Sequence, residues 1–175
     1  MRIRPFIENR DYVYLEKWID DEKVHALWCA NRLSYPLTRE NLRAYLEKAE
    51  ADWTGSAYVA TEDDGTVIGF FCYSINTETN TGFLTFVIVD GHKRGTGCGS
   101  AMIQLALRYA FVATGADSVQ LNVFEENTTA IRCYEKAGFE IRAIDKNVFP
   151  YKGEQWSRCN MAVSLPAESA RGRSL

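Results

Sequence analysis

The spacing of apolar residues changes several times along this chain, and each change marks an element. Tyr12, Leu15, Trp18 and Ile19 recur at helical spacing. They predict a helix from Asn9 or Arg10 to Asp20, after a short strand Arg2–Arg4 that Pro5 closes. Glu22–Cys29 continues as a second helical piece. Pro36 breaks the chain, and Thr38 caps a third helix to about Ala51, with Leu42, Tyr45, Leu46 and Ala49 on one face.

The period then shortens. Ala57–Thr61 and Thr66–Ile75 flank Glu62-Asp63-Asp64-Gly65, whose Asp-Gly step predicts a hairpin. Asn76–Gly82 is polar and reads as a connector to a third apolar run, Phe83–Val89. Ser100–Thr114 keeps its polar residues mainly on one stripe, as a helix packed on a sheet does. Val119, Leu121 and Val123 alternate with polar residues and predict a half-buried strand. Asn127 caps a helix to about Ala137, with Gly138 just past its end. Glu140–Asn147 and Trp156–Val163 complete the set as strands joined through Pro150–Glu154. This order predicts an α+β sandwich rather than a βαβ repeat. Residues 1–165 read as one domain, and 166–175, small and polar, as a flexible tail.

Composition narrows the classes. A net charge of −3 argues against binding nucleic acid or an anionic membrane through a broad basic face. No apolar run approaches the roughly 20 residues that span a bilayer, and the N-terminus has no signal-like apolar region. Five scattered cysteines without a C-x-x-C fit reduced thiols in a cytoplasm, and two histidines cannot build a His-rich metal centre. His25 reads as structural and His92 as a solvated turn residue.

The chemistry concentrates in Lys93–Ser100, KRGTGCGS, between an apolar strand and a helix. Glycines there let successive amides and the helix N-terminus face one point, which suits a pyrophosphate. Gly95, Gly97 and Gly99 follow G-x-G-x-G, so the dinucleotide fingerprint G-x-G-x-x-G fails. No Lys-Ser/Thr pair ends the turn, so the P-loop fails too. About thirty residues later comes NTTAIRCYEKAGFE, residues 127–140.

Together the two segments resemble the GNAT superfamily of acetyl-CoA-dependent N-acetyltransferases. Arg94, Gly97 and Gly99 match its motif A, and Asn127, Ala130, Tyr134, Lys136, Gly138 and Phe139 match its motif B. The N-terminal half and the Trp156–Met161 strand look most similar to the ribosomal-protein N-terminal acetyltransferase branch. The resemblance implies an α/β/α sandwich around a mixed, mainly antiparallel sheet of six to seven strands, splayed between the fourth and fifth.

It also implies roles. The backbone of Gly95, Thr96, Gly97, Cys98, Gly99 and Ser100 would wrap the CoA pyrophosphate. Arg94 would contribute its guanidinium or its own N–H. Amides of Val87, Ile88 and Val89 would pair with the pantetheine arm, and one would polarise the thioester carbonyl. Asn127 would bond the pantetheine, or serve only as a cap. Tyr134 would protonate the departing thiolate, with core packing as the alternative reading. Cys98 reads as a small filler rather than a nucleophile.

The expected function is therefore N-acetyl transfer from acetyl-CoA, without a metal, by direct attack of an acceptor amine in a ternary complex. The expected acceptor is a peptide or protein α-amine, because no carboxylate stands near Leu84 to drain a lysine's proton. A small-molecule amine such as an aminoglycoside or polyamine is the alternative, and a non-catalytic CoA sensor the rival from another class. Trp28, Tyr35 and Tyr151 are the expected acceptor-pocket walls. A homodimer without nucleic-acid or membrane partners completes the expectation.

Overall fold

The computed structural model describes residues 1–53 and 55–165, so the expected tail lies outside the described residues. In chain order the elements are β1 (Arg2–Pro5), α1 (Glu8–Trp18), α2 (Glu22–Cys29), α3 (Arg39–Trp53), β2 (Ser56–Thr61), β3 (Val67–Asn76), β4 (Thr81–Val89), α4 (Cys98–Arg108), β5 (Ser118–Phe124), α5 (Thr128–Lys136), β6 (Glu140–Tyr151) and β7 (Glu154–Ser164). The seven strands form one sheet in the order β1-β2-β3-β4-β5-β7-β6. Every neighbouring pair is antiparallel except β4–β5, which is parallel. The fold is the expected α+β sandwich with a mixed sheet.

Local chemistry explains the boundaries. Asp21 caps α2 by accepting from the Lys23 and Val24 amides at 2.7 and 3.0 Å. Thr38 and Asn41 cap α3 reciprocally: Asn41 N–H donates to Thr38 Oγ1 and Thr38 N–H to Asn41 Oδ1. α1 begins earlier than its apolar spacing suggests. There the buried Asp11 carboxylate accepts the Ile7 amide (2.8 Å) and a two-pronged contact from Arg4 (2.6 and 2.8 Å). Burial pushes the Asp11 carboxyl up, but Arg4 and the Ile7 amide outweigh it and hold the group below its ordinary value.

Three expected boundaries shift. Asn76 and Thr81 already pair as strand residues, because the Asn76 side chain accepts from the Glu78 and Thr79 amides and compresses the connector to a tight turn. The helix after the glycine turn begins at Cys98, and its last residues, Tyr109–Ala113, wind as a π-turn. The final hairpin turns at Lys152-Gly153 alone, both at positive φ (45° and 88°). Pro150 therefore sits inside β6, where an edge strand tolerates a missing N–H.

Two cores lie on opposite sides of the sheet. Leu84, Met102, Ile103, Val119, Leu121, Tyr134 and Met161 belong to the one beneath α4 and α5. Leu15, Trp28, Leu42, Val59, Phe70, Phe86 and Ile88 belong to the one beneath α1, α2 and α3. Among the described residues no helix is long and apolar enough to cross a membrane.

Candidate active site

β4 and β5 pair only from Thr81↔Ser118 to Leu84↔Leu121. Beyond Leu121, β5 stays with β7 to Phe124, while β4 departs from its regular path. Ile88 pairs with Phe70 and Thr85 with Cys72, so Phe86 and Val87 together face Phe71 alone. This β-bulge, with Phe86 at φ +53°, opens the sheet. A cavity of about 430 Å³ occupies the opening, with Val87, Ile88 and Val89 on one wall and α5 on the other.

The glycine turn closes one end. Gly97 caps α4 at φ +89°, a conformation side chains rarely adopt, and a Cβ there would project into open space. The first helical bond runs from Ala101 N–H to Gly97 O (3.0 Å), so the amides of Cys98, Gly99 and Ser100 precede it without intrahelical partners. At Gly99 a Cβ would lie 3.3 Å from Cys133 Sγ. The small residue lets α4 and α5 approach at the cleft. Arg94 spends its own N–H on Gly91 O (3.3 Å), which leaves its guanidinium to face the cavity it lines.

α5 presents a polar stripe. Thr129, Arg132, Cys133 and Lys136 line the cavity at helical spacing. Arg94, Arg132 and Lys136 form no ion pair among the described residues, whereas Lys93 is held by Glu62 at 2.7 Å. Three uncommitted cations thus border one cleft of a chain whose net charge is −3, and they favour an anionic guest. Asn127 lines the same cavity but uses its Oδ1 to cap α5, accepting the Ala130 amide at 3.2 Å. Tyr134 is 7% exposed with its ring edge-on to Phe139. Its hydroxyl has no hydrogen bond among the described residues, and since no fully buried side-chain N or O among them lacks a partner, it opens to the cavity that the residue lines. Burial, with Cys133 adding a smaller contribution, pushes the phenol above its ordinary value, so it keeps its proton across neutral pH.

Ten of the twelve residues singled out in the sequence meet in this cleft. Thr96 and Cys98 do not line it. The Thr96 hydroxyl donates to Lys93 O (2.7 Å) and lies 3.2 Å from Cys98 Sγ, so both side chains serve the turn itself. Of the three expected acceptor walls only Trp28 reaches the cavity. The Tyr35 hydroxyl donates to Asp20 O, and Tyr151 packs 4.4 Å from the Trp156 ring. Leu84, where the sequence carries no carboxylate, is 1% exposed and packs beneath α4 and α5. Thr85 instead opens into a second cavity, of about 650 Å³, bordered by Arg32, Tyr45, Asp52, Glu78 and Asn122. The α5 stripe was within reach of the sequence, since a helix capped at Asn127 repeats a face at 129, 132, 133 and 136. The α2 wall of Val24, Leu27 and Trp28 carried no such signal. Among the described residues no cluster of His, Cys, Asp or Glu is arranged to hold a metal ion.

A mixed sheet opened between its two parallel strands thus carries a partnerless amide turn and free cations at the opening. The chain belongs to the acetyltransferase (GNAT) family, whose model matches residues 12–139. It is an acyltransferase with acetyl-CoA as donor. It is 26% identical to the SPbeta prophage-derived N-acetyltransferase YokL of Bacillus subtilis over 76% of this chain and 72% of YokL. It is 32% identical to the mycothiol acetyltransferase of Thermobispora bispora over 62% of this chain, but spans only 37% of that protein. With the L-amino acid N-acetyltransferase AaaT of Escherichia coli it shares 25% identity over 84% of this chain and 88% of AaaT. The fold matches a spermidine N-acetyltransferase of Vibrio cholerae, solved with CoA and spermine, at a TM-score of 0.78 and 20% identity, over 93% and 94% of the two chains. The expected lean toward ribosomal-protein N-terminal acetyltransferases finds no support in these relatives.

Proposed function

We propose that acetyl-CoA lies along the opening between β4 and β5, and that the acceptor is a small-molecule amine reaching it from the second cavity. One observation carries the reading: a turn of partnerless amides and the unbonded hydroxyl of a buried tyrosine face one cleft. The amides of residues 95–100 and the α4 N-terminus hold the pyrophosphate, and Arg94, Arg132 and Lys136 neutralise its charge. Amides of Val87, Ile88 and Val89 bind the pantetheine arm as an added strand. The neutral amine attacks the thioester carbonyl directly, Tyr134 gives its proton to the sulfur as the carbon–sulfur bond breaks, and the proton that the nitrogen sheds in becoming an amide passes through water and restores the phenol. Orientation of the two substrates supplies most of the acceleration.

The relatives' names support a small-molecule acceptor: an L-amino acid for AaaT, a spermidine for the V. cholerae structure. The case for a peptide α-amine loses its ground, because the empty position at Leu84 faces the core and not the acceptor side. Asp52 and Glu78 against the single cation Arg32 give the second cavity a lining that suits a cationic amine. The same reading includes a cytoplasmic location, in keeping with five free thiols. It also includes a homodimer, for which the exposed Ile141, Ile144 and Val148 on edge strand β6 offer a surface.

The test is acetyl-CoA-dependent thiol release with polyamines, free amino acids, aminoglycosides and peptides bearing a free N-terminus or a lysine. A small amine is expected to give the highest kcat/KM. Preference for either peptide would return the acceptor to the protein class, and no thiol release with any amine would favour a CoA-binding sensor.

A further inference from the structure

We infer that Trp28 is a positioning residue for the acetyl transfer: by holding the Phe86 carbonyl, its indole N–H aims the Val87 N–H at the thioester oxygen. The inference rests on the reading of the cleft as the acetyl-CoA site.

The starting point is a backbone conformation that an aromatic residue does not adopt unaided. Phe86 sits at φ +53° inside a strand, a strained conformation for an aromatic residue that persists only where the surroundings impose it. Two neighbours impose it here. Trp28 Nε1 donates to Phe86 O at 2.7 Å in a buried contact. The Phe86 ring is flanked by Trp28 at 4.8 Å and by Tyr45, stacked at 4.6 Å. Without the bulge, strict alternation would put positions 84, 86 and 88 on one face. With it, Leu84 packs beneath α4 and α5 while Phe86 and Ile88 pack beneath the N-terminal helices.

The direction of the Val87 amide follows from two independent arguments. The 86–87 peptide is planar and trans, so its N–H points opposite to its C=O. A carbonyl drawn toward α2 turns the N–H away from α2. Further along, Asp90 N–H donates to Ile68 O in β3 at 3.0 Å. Amides of successive strand residues point to opposite edges, so the Ile88 N–H, like that of Asp90, faces β3 and the Val87 N–H faces the side that β5 has left open. Val87 is a lining residue of that opening. An N–H fixed there before the reaction meets the carbonyl oxygen as it gains negative charge, with no reorganisation needed. If the peptide lost its anchor, the carbonyl and the amide would swing together.

Trp28 is also a core aromatic, and a purely packing role would move stability alone. The test therefore uses Trp28→Phe, which keeps an aromatic ring and deletes the N–H. It reads kcat, the acetyl-CoA Kd, Tm, and the carbonyl stretch of bound acetyl-CoA labelled with ¹³C at the acetyl carbonyl. The expected result is a kcat lower by about 10- to 100-fold, below the full loss of an oxyanion donor. Acetyl-CoA affinity should hold within about 3-fold, because one misaimed amide leaves the other phosphate and pantetheine contacts in place. The carbonyl stretch, displaced to lower frequency in the parent protein, should return toward its value in water. Should the Phe variant fail to fold, 3-benzothienylalanine at position 28 keeps the bicyclic shape without the N–H and should reproduce the loss. An unchanged kcat in either variant overturns the inference, and so does a parent protein that binds acetyl-CoA without displacing the stretch. Failure of the parent protein to bind acetyl-CoA at all would instead overturn the reading of the cleft.

Discussion

The two walls of the cleft are made by different means. The C-terminal wall, from Arg94 to Phe139, is built from short-range devices: a glycine at positive φ, a cap at Asn127, a polar stripe along one helix. The N-terminal wall is α2, held against β4 by aromatic packing and one indole hydrogen bond across 58 positions of sequence. In the proposed reading the first wall holds the charged co-substrate, and the second shapes the strand beside it. Substitutions in the first should therefore remove binding or chemistry outright, and those in the second should change rate and stability by degrees.

The sharpest break of that comparison is Gly97→Val. A Cβ at this position meets nothing within 4 Å, so the damage comes from φ +89°, which a β-branched residue resists, and from a side chain thrust into the anion's space. The expected outcome is a folded protein, by circular dichroism and melting, with no measurable acetyl-CoA binding by calorimetry. Retained affinity would remove the glycine turn from the site.

Tyr134→Phe separates chemistry from binding within the same wall. The hydroxyl makes no hydrogen bond to the described residues, so its removal leaves no buried partner unsatisfied and should barely change Tm. Turnover should nevertheless fall by about 10²- to 10⁴-fold if the phenol is the general acid, with acetyl-CoA affinity close to that of the parent. The raised pKa adds a pH signature: Tyr134 stays protonated through neutral and mildly alkaline pH, so any loss of rate below pH 10 must come from another group. Wild-type turnover in the Phe variant would make Tyr134 a core residue only.

What the sequence disclosed follows the same division. Gly97, Asn127 and Tyr134 were legible as one cluster because their placement depends on neighbours within a few residues, and helical spacing carries the unremarked Arg132 onto the same face as Lys136. The bulge at Phe86 and Val87 was not legible. FLTFVIV reads as an unbroken strand, and only Trp28 and Tyr45, far away in sequence, force Phe86 into its conformation. The same bulge puts Leu84 and Phe86 on opposite faces, although strict alternation would put them on one. The closing hairpin misled for a simpler reason. Pro150 looked like a turn residue, but on edge strand β6 its missing N–H faces no ladder partner.

A milder effect tests the N-terminal wall. His25, on α2 one turn before Trp28, is fully buried. Its ring lies 3.5 Å from Cys29 Sγ and edge-on to Tyr35 at 5.4 Å. Burial lowers its pKa despite the opposing influence of Asn31 and Glu22. In the unfolded chain the imidazole takes up a proton near pH 6.5, while the buried ring does so only at lower pH. The unfolded state therefore holds more protons below about pH 6.5, and stability falls as pH drops through that value. The melting temperature is expected to decline from pH 7 to pH 5, and His25→Gln should flatten that decline even if it melts lower throughout. The Arg4–Asp11 pair does not confound this window. Asp11 is held below its ordinary value, so its contribution is present above about pH 4 and lost only below it. Equal slopes in the parent and the His25→Gln protein would assign the acid sensitivity elsewhere.

The smallest change should come from the residue that looks most reactive on paper. Cys98 stands between Gly97 and Gly99 at the start of α4, inside the turn that borders the cleft. Its sulfur is nevertheless only half-exposed, lies 3.2 Å from the Thr96 hydroxyl, and does not line the cavity. The Thr96 hydroxyl in turn is committed to Lys93 O, so both side chains serve the turn's own contacts. Cys98→Ala removes one sulfur and no backbone amide. Turnover and acetyl-CoA affinity should both stay within a few-fold of the parent, since the turn presents its N–H groups whatever the side chain. Direct attack by the amine also requires that no acetyl group rest on the protein. Mass spectrometry of the parent protein quenched during turnover should find no acetylated cysteine. An acetyl-thioester at Cys98, together with loss of turnover in a Cys98→Ala protein that still binds acetyl-CoA, would replace direct transfer with a two-step route.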